Sequence, residues 1–128
     1  MRYSNDIETA LYNLLTTDGY SASAHALPAT LGNTLPHVHV VRTGGTTTDL
    51  VLETHQVDFD VYAEDPAEAM EQACLLCGWV RELVGRDIGI CYHAEVMTLP
   101  YGNPDPRHST LGRATFKATI NTRVKEVY

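Results

Sequence analysis

The chain has 128 residues, 44% hydrophobic and 20% charged, which is the balance of one globular domain spanning residues 1–128 rather than of a disordered tract. Its formal net charge of −7 argues against nucleic-acid binding through clustered Lys and Arg, but is compatible with a surface past which DNA slides without sticking. No run of about 18 apolar residues occurs and the opening MRYSNDIETA lacks a signal-peptide pattern, so the chain is expected to cross no membrane and to stay in the cytoplasm.

The first element is NDIETALYNLLTT, residues 5–17, where Ile7, Ala10, Leu11, Leu14 and Leu15 recur at helical spacing. Asn5 is the expected cap, with Glu8 completing a box-like start and Asp18-Gly19 the stop. Residues 19–36 show no period and read as a long loop, of the kind that serves function or an interface. HVHVVR, residues 37–42, alternates as a strand; residues 43–49 read as a flexible turn, and residues 50–63 as the second strand of a hairpin. In that strand Val57, Phe59 and Val61 face one side and Asp58, Asp60 and Tyr62 the other.

The strongest helix follows. Asp65 is its cap, Pro66 its first residue and Glu68 its capping-box partner. Ala69, Ala73, Leu76, Val80, Leu83 and Val84 form its apolar stripe, Trp79 lies at the edge of that stripe and Gly85 ends it. Gly78 inside it costs about 1 kcal/mol relative to Ala, which suggests close packing. Residues 88–99 and 113–127 read as two further strands, the last with Ala114, Phe116, Ala118, Ile120 and Val124 on one face. Between them lies LPYGNPDPRHSTLG, residues 99–112, a loop stiffened by three prolines. The expected fold is α+β, in the order α-β-β-α-β-β. It is a two-layer sandwich with a mostly antiparallel four-stranded sheet and two helices on one face; the strands flanking the second helix run parallel.

Chemistry is sparse. Cys74 and Cys77 form a C-x-x-C, but both fall within a helix flanked by leucines and no second pair completes a zinc site. Buried structural cysteines are therefore expected. His37 and His39 share a strand face, with His55 and His93 on other strands, and read as exposed or stacked histidines rather than metal ligands. Asp58 and Asp60, about 7 Å apart, read as a solvated acidic face. RTGGTTT joins two strands and so lacks the helix N-terminus of a phosphate loop. No cofactor and no catalytic activity are expected.

The succession VDFDVYAEDPAEAMEQACLLCGWVRELV, then a strand, then LPYGNPDPRHSTLGRATFKATINTRV resembles phage tail terminator proteins, also called tail completion proteins, across residues 36–125. It is carried by the strand running into the capped helix, by Pro104-Asp105-Pro106 and by a last strand ending in Thr122-Arg123. The resemblance implies a virion protein of the neck, assembled in the host cytoplasm. Its members form a homo-oligomeric, hexameric ring on the tail tube protein that ends tail polymerisation. The ring offers a joining surface to the head connector and leaves a channel through which DNA passes without specific binding.

On that reading Pro104, Asp105, Pro106 and Arg107 form a docking loop, and Asp58 and Asp60 face the lumen. Replacing residues 104–106 with Gly and Ser is expected to spare the fold. One alternative is a head-closure protein of the same neck. Another, of a different class, is a small metal-binding protein or enzyme using His37, His39 and His93.

Overall fold

The computed structural model describes residues 1–47, 51–86 and 91–126. In chain order the elements are β1 (Arg2–Tyr3), α1 (Ile7–Thr17), β2 (Ser21–Ala24), β3 (His37–Thr47), β4 (Leu52–Ala63), α2 (Pro66–Arg81), β5 (Cys91–Gly102), β6 (Gly112–Arg123) and β7 (Lys125–Glu126). The architecture is α+β, with a five-stranded mixed sheet in the order β2-β3-β4-β6-β5 and a two-stranded antiparallel pair, β1 with β7. No described helix is long and apolar enough to cross a membrane.

Strand alternation sorts the sheet into two faces. Val57, Phe59 and Val61 of β4 and Ala114, Phe116, Ala118 and Ile120 of β6 are buried beneath the helices. Phe59 and Phe116 are register partners and stack at 4.9 Å. From above, α1 contributes Ile7, Leu11 and Leu15, and α2 contributes Ala69, Ala73, Leu76 and Val80, to one continuous core. Asp65 caps α2 by accepting from Glu68 N at 2.8 Å, with Pro66 first in the helix, as the capping signals predict. Leu83 is buried as expected, but Val84 is exposed because the helix has ended at Arg81 and Gly85 turns the chain at φ +87. Trp79 sits at the stripe's edge, donating to Asp18 Oδ2 at 2.6 Å and meeting Tyr20 edge-on.

Several expectations are corrected. The sheet has five strands rather than four, although its β3–β4, β4–β6 and β5–β6 pairings are antiparallel as expected. Residues 21–24, inside the supposed loop 19–36, form β2, which pairs parallel to β3. Residues 43–47, read as a turn, continue β3 past a register shift between Arg42 and Gly44; Thr48, Asp49 and Leu50 fall outside the described residues. Residues 99–102, read as the start of the proline loop, belong to β5, which confines that loop to residues 103–111. The expected β5 start at 88–90 and the last position of the final strand, Val127, also fall outside the described residues. β6 ends at Arg123, so Val124 leaves the core face. The strands flanking α2 are parallel, each being antiparallel to β6, which lies between them.

Asn5 does not cap α1. Asp6 does, accepting from Thr9 N at 3.2 Å, because Asn5 is drawn into the interior. Its amide donates to Glu53 Oε1, Thr122 Oγ1 and the Arg123 carbonyl, fastening the N-terminal segment to β4 and β6.

Two glycines differ in opposite ways. A methyl group at Gly112 would overlap the Asp65 carbonyl, where β6 passes under the start of α2. At Gly78 nothing lies within 4 Å, so close packing is not the reason for that glycine. Gly112→Ala is expected to destabilise the fold by about 3 kcal/mol through overpacking. Gly78→Ala is expected to stabilise it by about 1 kcal/mol through helix propensity. Urea unfolding midpoints, lower for the first and higher for the second, check both.

Candidate functional site

The two loops singled out in the sequence meet. Residues His25, Ala26, Leu27, Pro28 and Ala29 form one wall of a cleft of about 530 Å³, and Arg107 and His108 form the other. The floor is the sheet face away from the helices, with His39 and Val41 of β3, Asp60 and Tyr62 of β4 and Arg113 of β6. That volume is in the range of ligand clefts. His25 holds a left-handed backbone, φ 67, unusual for a residue with a side chain. Its ring lies 3.0 Å from Thr9 Oγ1 and 3.4 Å from Asp6 Oδ2, which ties the wall to the start of α1.

The opposite wall is organised by Asp105. Its side chain is nearly enclosed, the residue being 2% exposed, while Pro104 and Pro106 on either side are exposed. Tyr62 OH donates to its Oδ2 at 2.9 Å and Arg107 N to its Oδ1 at 3.0 Å. The His108 Nδ1–H donates to Oδ2 at 3.0 Å, since an ionised carboxylate only accepts. Arg113 stands 3.7 Å away and is itself fixed by the carbonyls of Asn103 and Pro104. Burial alone would push the Asp105 pKa up. The hydrogen bonds of His108, Tyr62 and the Arg107 amide, with the Arg113 charge, outweigh it and hold the carboxyl far below the usual carboxylate range. Burial, with Asp105 beside it, pushes the Tyr62 phenol up to about 12 despite Arg113. With Nδ1 committed to Asp105, His108 turns Nε2 outward, an arrangement that fixes a tautomer.

β3 carries a second network. His37 and His39 are buried, not exposed, because the parallel strand β2 places hydroxyls against them. Ser21 Oγ lies 2.8 Å from His37 Nδ1, and Ser23 Oγ lies 2.8 Å from His37 Nε2 and 2.7 Å from His39 Nδ1. The single Ser23 proton goes to one ring, so the hydroxyl accepts from the other. Burial, and then the neighbouring His39, push the His37 imidazole down to about 4. Burial also lowers His39, against the pull of the Asp60 charge. Ser23 thus bonds His39, whose register partner on β4 is Asp60, a juxtaposition that residue spacing did not suggest. Ser23 is nonetheless buried and forms no part of the cleft wall, so its hydroxyl serves the histidines rather than a substrate.

Elsewhere the histidines separate. His55 is buried on the helix face at the opposite end of β4; Arg42 Nε donates to its Nδ1 at 3.1 Å, and its Nε2 lies 3.2 Å from Thr122 Oγ1. Burial and the Arg42 charge lower it. His93 lies on β5, with β4 and β6 between it and His37 and His39, so the three histidines named for a metal do not converge. Among the described residues no three His, Cys, Asp or Glu side chains form a metal-holding group.

Asp58 and Asp60 share the open face but are not a bare acidic surface. Lys117 Nζ donates to Asp58 at 2.9 Å and is raised by that bond, and Thr115 Oγ1 donates to Asp60 at 2.7 Å. Cys77 is buried and its thiol is raised by burial, but Cys74 is exposed, contrary to expectation: it stands about 60° round the helix from Cys77, just past the edge of the buried stripe. No protein-family model matches the chain, and no curated protein is similar to it at a significant level.

Of the docking loop, then, Pro104, Pro106 and Arg107 face outward, while Asp105 is the loop's internal anchor. The expectation that the loop tolerates loss of Asp105 is corrected. Asp105→Ala would strand the buried Tyr62 hydroxyl and is expected to destabilise the fold by about 2–3 kcal/mol, read by chemical unfolding. A second outcome concerns pH. His37 titrates at about 4 folded and at 6.5 as an ordinary histidine, so the unfolded chain binds its proton first. Its contribution is full above pH 6.5 and is lost as the pH falls toward 4. His37→Gln is expected to make unfolding midpoints fall less steeply over that window, without abolishing the slope, because His39 and His55 are lowered as well.

Proposed function

We propose that this chain is a structural assembly protein that closes into a ring at the neck of a phage particle, as a tail terminator. The resemblance over residues 36–125 supplies the family. The observation that carries the reading is the edge strand β5. It is 12 residues long, has no neighbour on its outer side in the sheet order, and exposes Tyr92, Met97, Leu99 and Tyr101 together. Met97 is 59% and Leu99 68% exposed. Single exposed apolar residues are ordinary, but four on one unpaired edge mark a contact surface. Register shifts along β5 blunt the edge against indiscriminate strand pairing.

The opposite edge, β2, is only 4 residues long and differs in character. Unlike edges favour head-to-tail contact, the kind that closes a ring. In this reading the ring, a hexamer as the resemblance implies, sits on the tail tube protein and presents its other side to the head connector. DNA passes through without specific binding, and Asp60, with Asp58 beside its Lys117, belongs to the acidic lumen. The role is structural rather than catalytic, and the Ser23 hydroxyl, turned to its histidines and off the cleft wall, supports that assignment.

Electron microscopy of tails made without the chain is expected to show tubes of uncontrolled length. Normal-length tails that fail to join heads would overturn termination in favour of head closure. In purified form, Met97→Lys combined with Leu99→Lys is expected to keep the thermal midpoint, since both side chains are already in water, while abolishing rings on tail ends. Rings formed by that variant at normal yield would remove β5 from the interface.

A further inference from the structure

Ser21, His37, Ser23 and His39 join β2 to β3 in an unbroken row. Ser21 Oγ lies 2.8 Å from His37 Nδ1, His37 Nε2 lies 2.8 Å from Ser23 Oγ, and Ser23 Oγ lies 2.7 Å from His39 Nδ1. The parallel register sets this spacing, because Ser21 stands opposite His37 and Ser23 opposite His39. One end of the row is Ser21, half-buried on the edge strand; the other is His39, on the floor of the cleft. His37 and Ser23 between them are buried.

A hydroxyl has one hydrogen to give, and a neutral imidazole has one nitrogen that donates and one that accepts. The row therefore has two complete directions. In the first, Ser21 donates to His37 Nδ1, His37 Nε2–H donates to Ser23, and Ser23 donates to His39 Nδ1. In the second every bond is turned round, and His37 carries its hydrogen on Nδ1. Two neutral rings fit either direction. A protonated His39 fits only the second, because its Nδ1–H must donate to Ser23.

His39 is the ring placed to take a proton first. Asp60, its register partner on β4, and Glu8 of α1 face it with negative charge. His25, and Arg107, His108 and Arg113 around the same cleft, work against a positive charge there. His37 instead faces Ser21 and Ser23 of β2, Tyr62 of β4 and its neighbour His39, and burial holds it neutral down to about 4.

We propose that Ser21, His37, Ser23 and His39 form a reversible proton wire between solvent at the β2 edge and the floor of the cleft, so that in acid the cleft gains a positive charge while His37 changes tautomer. The transfer balances. Hydronium gives one proton to Ser21 Oγ, and Ser21 passes its own hydrogen to His37 Nδ1. His37 passes the Nε2 hydrogen to Ser23, and Ser23 passes its own to His39 Nδ1. His39 ends as an imidazolium and His37 ends neutral, with its hydrogen on Nδ1. A second proton, on His37, makes both rings donate to Ser23 and leaves the buried Ser23 hydrogen with no acceptor in the row. The row accommodates one proton and is broken by two. This holds for a single copy of the chain and does not rest on the ring reading.

The test is NMR of the imidazole nitrogens of His37 and His39 in the full chain as the pH is lowered. As His39 takes its proton, the ring hydrogen of His37 is expected to move from Nε2 to Nδ1 over the same pH interval, with His37 still neutral. A His37 that keeps one tautomer throughout that interval, or that becomes charged before His39, overturns the wire. Ser23→Ala removes the hydroxyl that both rings share. In that variant His39 is expected to titrate while His37 holds one tautomer. A His37 hydrogen that still moves with the His39 charge there also overturns the wire, since the rings would then be coupled through space and not through Ser23.

Discussion

A carboxylate taken out of water has to be met by donors, and the end of the molecule that carries the cleft is arranged around one that is. Asp105 collects the Tyr62 hydroxyl, the Arg107 amide and the His108 ring, with two guanidinium groups near it. Each of those partners comes from a different relation to the sheet. Tyr62 is on β4 and Arg113 on β6, while Arg107 and His108 are on the loop itself. The carboxylate therefore converts a crossing between two strands into a rigid wall whose exposed prolines and Arg107 hold fixed positions. Remove the charge and the wall loses what joins it to the floor.

The other end of the sheet obeys the same rule with different residues. Asn5, Glu53, His55 and Thr122 are all buried there and bond to one another, and β1 pairs with β7 just outside them. One polar cluster ties the chain's start to the middle of the sheet. The apolar stack of Phe59 on Phe116 lies between the two clusters, so the hydrophobic centre is bracketed by two polar clasps.

This layout explains what the sequence disclosed and what it hid. Where burial is hydrophobic, period and capping speak clearly: Asp65, Pro66 and the stripe of α2 sit where their pattern places them, as do Val57, Phe59 and Val61. Where burial is polar, the same pattern misleads. Ser21 and Ser23 alternate with small alanines and carry almost no hydrophobic signal, yet they form β2 because their hydroxyls answer His37 and His39. The usable sign was the shared alternation of the two segments, Ser-x-Ser against His-x-His, sixteen positions apart. Asp105 was hidden for a related reason, since a lone aspartate between prolines reads as surface until Tyr62 and Arg113 are seen beneath it. The cleft needed both corrections, because one of its walls follows β2 and the other surrounds Asp105.

The three cysteines have a practical consequence. Cys77 and Cys91 are buried and burial makes their thiols less acidic, whereas Cys74 is exposed on the outer side of α2. Thiolate chemistry follows exposure and acidity, so the chain carries an addressable sulfur on the helix layer, outside the cleft lining. A dye or spin label directed at thiols is therefore expected to attach at Cys74 while the two core thiols stay protected.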